Sequence, residues 1–151
     1  MTTHFSPERL ITTIDELQTR IMSFFYCTAG QTVYITGKNL GKIFHLLPQD
    51  QQDKNISDCM KHFCILIPSM DAKGLIFRAY ASARGAEVRV TSLAVHDMIV
   101  GHGMVILLSM DDMSRRDPSL IGLETSQRDI FAQAQNYARS LWKQAHPIRY
   151  S

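Results

Sequence analysis

The chain has 151 residues, 45% of them apolar and 20% charged, with 16 Lys and Arg against 14 Asp and Glu and a formal net charge of +2. A chain of this length buries roughly 70% of its surface and folds without a metal or disulfide staple, and it carries too little charge for a disordered polyelectrolyte. A sequence pI near 8.5 permits contact with nucleic acid or an anionic membrane, although a binder relying on phosphate contacts usually concentrates Lys and Arg far more.

The three cysteines, Cys27, Cys59 and Cys64, have no metal-finger spacing and leave one over if any pair is oxidised, which points to a reducing, cytoplasmic setting. No apolar run approaches the roughly 20 residues of a membrane helix, so no membrane insertion is expected. Residues 1–151 read as one compact domain, with solvent loops near 49–55 and 111–124.

Ser6-Pro7-Glu8 predicts a helix start, with Ser6 as cap and Pro7 at the first helical position. Leu10, Ile11, Ile14, Leu17, Ile21, Met22, Phe24 and Phe25 recur three and four apart and carry that helix to Ala29-Gly30. Its apolar side widens towards the C-terminus, which makes Ile21, Phe24 and Phe25 candidate protein-contact residues.

Thr32 to Thr36 reads as a short strand, and Leu40 to Leu47 as a short helix that Pro48 stops. Met60, Phe63, Cys64 and Ile67 share a face if the segment after Ser57 is helical, while Phe63 to Ile67 taken alone suits a buried strand, and periodicity leaves both open. Ala72, Leu75, Ile76, Ala79, Tyr80 and Ala83 predict a helix over 71–84. From Glu87 the period shortens towards two, giving a strand through Val95 and a second over Met104 to Met110, with His96 to Gly103 as the loop between them. The closing helix starts at Thr125-Ser126, with Asp129 placed to return a capping-box bond to Ser126, and carries the stripe Ile130, Phe131, Ala134, Tyr137, Ala138, Leu141 and Trp142. Pro147 ends it, leaving a frayed or partner-docked tail.

Together these elements predict an α+β fold, a two-layer sandwich in which a mainly antiparallel sheet packs against N- and C-terminal helices. A parallel βαβ order is the alternative if Phe63 to Ile67 is a strand and 71–84 its crossover helix.

Chemical signals are sparse. Cys59-x2-His62-x-Cys64, even with His96 and His102 as further ligands, has poor spacing for a metal, because helical residues five apart turn to different sides. Gly37 to Lys42 lacks the order of a phosphate-binding loop, and Ser109 to Asp112 has no phosphate cradle to complete a magnesium site. No metal or cofactor is therefore assigned. His96, Asp97 and His102 form a candidate ligand loop, since an imidazole accepts and returns a proton near neutral pH. Arg78, Arg84 and Arg89 are candidate phosphate contacts, with Tyr80 nearby but in the apolar phase of its helix. Met98 and Met113 offer adaptable thioethers beside a second groove.

With neither a nucleophile–base arrangement nor a cofactor fingerprint, the sequence favours a non-enzyme: an intracellular adaptor or regulatory protein that works by protein contact, with a protein partner or self-association into an oligomer. Two alternatives stand beside it. One is a nucleic-acid-associated protein using a dispersed basic surface; the other is a small ligand-binding domain or enzyme using the histidine-containing loop.

Overall fold

The computed structural model describes residues 8–27, 31–38, 60–69, 71–94, 96–108 and 122–147. Among them the chain forms strands β1 (Glu8–Ile11), β2 (Val33–Thr36), β3 (Phe63–Ile67), β4 (Glu87–Val90), β5 (Met98–Gly101), β6 (Met104–Leu108), β7 (Gly122–Thr125) and β8 (His146–Pro147), and helices α1 (Ile14–Cys27), α2 (Ala72–Ala83) and α3 (Arg128–Gln144). The strands make one sheet in the order β1-β7-β6-β5-β2-β3-β4-β8. β2–β3 and β3–β4 are parallel and the other pairings antiparallel. The fold is thus α+β, with a mixed, mostly antiparallel sheet packed against N- and C-terminal helices, and the right-hand part contains the βαβ unit β3-α2-β4.

Strand alternation distributes the core over both faces. Val33 and Ile35 of β2, Phe63, Ile65 and Ile67 of β3, Val88, Ile99 and Ile106 pack with Leu17 and Ile21 of α1 and Tyr80 and Ala81 of α2. The intervening Tyr34, Met98, Val100 and Val105 pack with Ala138 of α3, and Leu66 joins Ala94, Leu141 and Ala145. Helices therefore cover the sheet from two sides. Beyond the reach of α3, the β1–β7–β6 corner leaves Leu10 61% and Leu107 38% exposed. On the α1 side of that corner, the Arg20 guanidinium holds the Glu124 carboxylate through both its Nε and Nη2.

Several elements differ from expectation for identifiable reasons. Glu8–Ile11 is a strand paired with β7, not the first turn of a helix. The helix begins after Thr13, whose Oγ1 accepts the Glu16 amide at 3.1 Å while the Glu16 carboxylate accepts the Thr12 amide at 3.5 Å. Phe63–Ile67 is the strand, so the helical reading of that segment is set aside. Residues 98–101, read as part of a loop, form β5 near the middle of the sheet, buried on both faces. Residues 122–124, read as the end of a surface loop, and Thr125, read as the start of the closing helix, form β7. The closing helix is capped one residue later than expected, at Gln127 rather than Ser126 and with no side-chain capping bond, and the tail adds β8 against β4. The predicted helix over 40–47 and the loop over 49–55 lie outside the described residues. Among the described residues no helix is long and apolar enough to cross a membrane.

Candidate functional site

β2 lies between its sequence successor β3, which runs parallel to it, and β5, which runs antiparallel. Loops that leave a rigid sheet side by side commonly carry binding residues. Thr36, Gly37 and Lys38 leave β2 at its carboxyl end, and His96 and Asp97 enter β5 beside them, with Thr36 opposite Met98. The fully buried Thr36 hydroxyl donates to the His96 carbonyl at 2.6 Å, and the Gly37 amide continues the β2–β3 ladder by donating to the Leu66 carbonyl at 3.2 Å. Gly37 has φ +150°, and a Cβ there would lie 2.1 Å from Asp97 Oδ1 and 2.9 Å from Asp97 Cα. Only glycine permits that approach.

His96 is exposed, and its imidazole stands edge-on to the Tyr137 ring, with centroids 5.9 Å apart and planes at 62°. Tyr137, 37% exposed on α3, donates its hydroxyl to the Leu93 carbonyl at 3.2 Å. Leu93 belongs to a tight turn closed by the Ala94 amide on the Thr91 carbonyl at 3.0 Å. Lys38 is exposed at the same end of the sheet. The Asp97 carboxylate meets Gly37, and its carbonyl accepts the Leu108 amide at 2.9 Å. The arrangement thus offers a solvent-facing imidazole beside an aromatic ring, with an ammonium on the neighbouring strand exit. It suits an anion that also carries flat or apolar surface, and it can move one proton.

The other predicted site residues fall elsewhere. His102 does not share a loop with His96: β5 separates them by six residues, about 20 Å of strand. With φ +60° it forms, with Gly103 at φ +72°, the two-residue turn of the β5–β6 hairpin at the sheet's opposite end. His62 is also at that end, directly before β3, and Cys59 lies outside the described residues. Cys64 is a free thiol. Burial, and then the Glu87 carboxylate, push that thiol up to about 11 against a smaller downward pull from Arg89. Among the described residues no group of three or more His, Cys, Asp or Glu is placed to hold a metal ion.

Two of the three candidate arginines, Arg84 and Arg89, are engaged within the fold. Arg84 is 3% exposed, with its guanidinium 3.8 Å from the Tyr80 ring centroid and Nη1 donating to the Tyr80 carbonyl at 3.0 Å. Arg89 lies 4.1 Å over the Trp142 ring, donates to the Trp142 carbonyl at 2.9 Å and pairs with Glu87 at 3.0 Å, so it fastens the end of α3 to β4. Arg78 is half-buried on α2. Of the candidate protein-contact residues, Ile21 and Met98 are buried in the core and offer no surface. The side chains of Phe24 and Phe25, and Met113 altogether, lie outside the described residues.

Sequence reasoning named His96 and counted Lys38 among the basic residues open to nucleic acid, but gave no site role to Thr36, Gly37 or Tyr137. The signal for the first two was a strand ending in Thr-Gly-Lys. Tyr137 was hidden because it falls in the apolar phase of α3 although its hydroxyl works at the surface.

No protein-family model matches the sequence. A sequence comparison with characterised proteins also finds no match. Solved structures do match in shape. TrmBL2, an archaeal chromatin protein whose structure shows a novel mode of DNA binding, superposes with a TM-score of 0.64 at 13% identity over 96% of this chain, which spans 54% of that protein. Nuc from Salmonella typhimurium, a phospholipase D family member, gives 0.54 at 12% identity over 87% of this chain and 91% of its own. NucT from Helicobacter pylori gives 0.57 at 10% identity over 93% and 98%. These likenesses overturn the expectation of a non-enzymatic adaptor or regulatory protein, since the shape is shared with a phospholipase D family member and with a DNA-binding chromatin protein. The conclusion they support is one of architecture: this chain has the fold common to TrmBL2, Nuc and NucT.

Proposed function

We propose that this chain is a nucleic-acid-associated protein that holds a phosphodiester backbone at the carboxyl end of β2. The observation that carries the reading is the exposed His96 imidazole, held at the strand-order reversal beside Tyr137 and on the same sheet end as Lys38. The likeness to the DNA-binding TrmBL2 over 96% of this chain supports it. Lys38 is the basic residue of this sheet end, while Arg84 and Arg89 are engaged with Tyr80 and Trp142. A reducing, cytoplasmic setting goes with the proposal, as the free Cys64 thiol requires no oxidising compartment.

The test is fluorescence anisotropy with a labelled 20-nucleotide DNA, single-stranded and duplex, over a salt series. Affinity falls with rising salt, and His96→Ala and Lys38→Ala each weaken binding, with Lys38→Ala reducing the salt slope by about one. Binding to neither DNA form at low salt defeats the proposal.

A second reading is favoured by the likeness to a phospholipase D family member: His96 transfers a proton at a bound phosphodiester. Turnover of bis(p-nitrophenyl) phosphate that vanishes in His96→Ala supports it, and activity unchanged by that substitution rejects it.

A further inference from the structure

His96 is an exposed side chain with two rotatable bonds, and such a residue ordinarily samples several rotamers. Here both its backbone and its ring are held. The buried Thr36 hydroxyl fixes the carbonyl at 2.6 Å, and the Tyr137 ring meets the imidazole edge-on. Tyr137 is itself anchored, because its hydroxyl donates to Leu93 in the turn that the Ala94 amide closes. The next residue, Ala138, is fully buried against the sheet, so the helix that presents the phenol is seated on the core.

Packing alone does not require a tyrosine at this place. A leucine satisfies the apolar phase of α3, yet the residue present is 37% exposed and directs its polar tip to a surface carbonyl. We propose that Tyr137 is a positioning residue for His96. It selects one imidazole orientation, so that the free edge of the ring faces solvent beyond the end of β2 before any ligand arrives. Preorganisation of this kind raises affinity by removing the cost of ordering the side chain on binding. The inference rests on the reading of His96 as the ligand-facing residue.

The experiment uses the full chain with isotope-labelled histidine, in the wild type and in Tyr137→Phe, Tyr137→Leu, His96→Gln and the Tyr137→Leu/His96→Gln double variant. His96→Gln assigns the His96 ring protons, and thermal unfolding followed by circular dichroism checks each variant's fold. In Tyr137→Leu the His96 ring-proton shifts move and its rotamers average. In Tyr137→Phe the ring-current shift remains while imidazole mobility rises, a readout that survives if the leucine variant does not fold. Binding of the labelled 20-nucleotide single strand weakens about three- to tenfold in Tyr137→Leu, less in Tyr137→Phe, and no further when Tyr137→Leu is added to His96→Gln. Unchanged His96 shifts and mobility in folded Tyr137 variants overturn the inference, as do additive losses in the double variant. If His96→Gln binds DNA like the wild type, the functional reading fails, and the histidine spectra still decide the positioning role.

Discussion

Arg20 of α1 and Glu124 of β7, 104 residues apart, form a two-pronged ion pair in which the carboxylate side chain is 8% exposed and the guanidinium 23%. Glu124 projects from the face of β7 that α1 covers, opposite Ile106 in the sheet register. Without a cation its charge would be sealed under the helix, so the pair fixes how α1 lies across the corner where β1 joins the sheet.

Removal of one partner is therefore worse than removal of both. Arg20→Ala costs about 3 kcal/mol by leaving a carboxylate in a desolvated place, whereas Arg20→Met combined with Glu124→Leu costs less than that single change. Urea unfolding of the two variants checks the order, and equal losses would show that the pair is only a surface contact.

Arg84 separates the structural reading of the basic residues from the nucleic-acid one. Arg84→Ala loses the stack on Tyr80 and a charged hydrogen bond, which lowers stability by about 2 kcal/mol. The same variant leaves the salt slope of oligonucleotide binding unchanged, because the guanidinium is buried and lies beyond α2 at the sheet end away from His96. A reduced slope in the folded variant would return Arg84 to the binding surface.

Tyr80 makes stability depend on alkaline pH. Burial pushes its phenol up from 10.0 to about 12, against a smaller downward pull from Arg84. Above pH 10 the unfolded chain loses this proton first, so the contribution is complete below pH 10, declines as pH rises and is gone above about 12. The urea midpoint of the wild type thus falls more steeply between pH 10 and 12 than that of Tyr80→Phe, and parallel curves would contradict the shift.

Gly37 is intolerant of a side chain. Gly37→Ala places a methyl against Asp97, costs about 2 to 3 kcal/mol and weakens oligonucleotide binding by displacing the entry to β5. Shortening Asp97 to alanine gives incomplete rescue, since the Cα of Asp97 is also only 2.9 Å from the new methyl. Full rescue by Gly37→Ala/Asp97→Ala would locate the conflict in the carboxylate alone.

The elements legible in the sequence are those whose apolar residues match one period and whose ends carry their own stop signals. α2 and α3 are of this kind, as are β2 and β6. β7 was not legible because Gly-Leu-Glu-Thr holds a single apolar side chain; the strand exists through backbone pairing on both sides and through Arg20, which lies far away in sequence. β5 was hidden by Gly101 and Gly103, which read as a loop although one packs against Val33 and the other makes a tight hairpin. β1 was absorbed into the helix because Leu10, Ile11 and Ile14 happen to share its spacing, although Thr13-x-x-Glu16 marked the true start. The site was half legible for a similar reason. His96 announces its chemistry by residue type, but its neighbours are assembled by sheet register and by α3 crossing above β5.

The strand order has a mechanical consequence. β1 and β8 occupy opposite edges of the eight-stranded sheet, about 34 Å apart at the usual interstrand spacing. Tension applied between Glu8 and Pro147 therefore pulls across the strands rather than along them. It opens the ladders first at the two-residue β8 and the four-residue β1, and only after β1 and α1 have come away does the N-terminal tether reach Val33 at the start of β2. The molecule begins to yield by peeling at its rims, at pairings two or more strands away from the end of β2 where His96 and Lys38 stand.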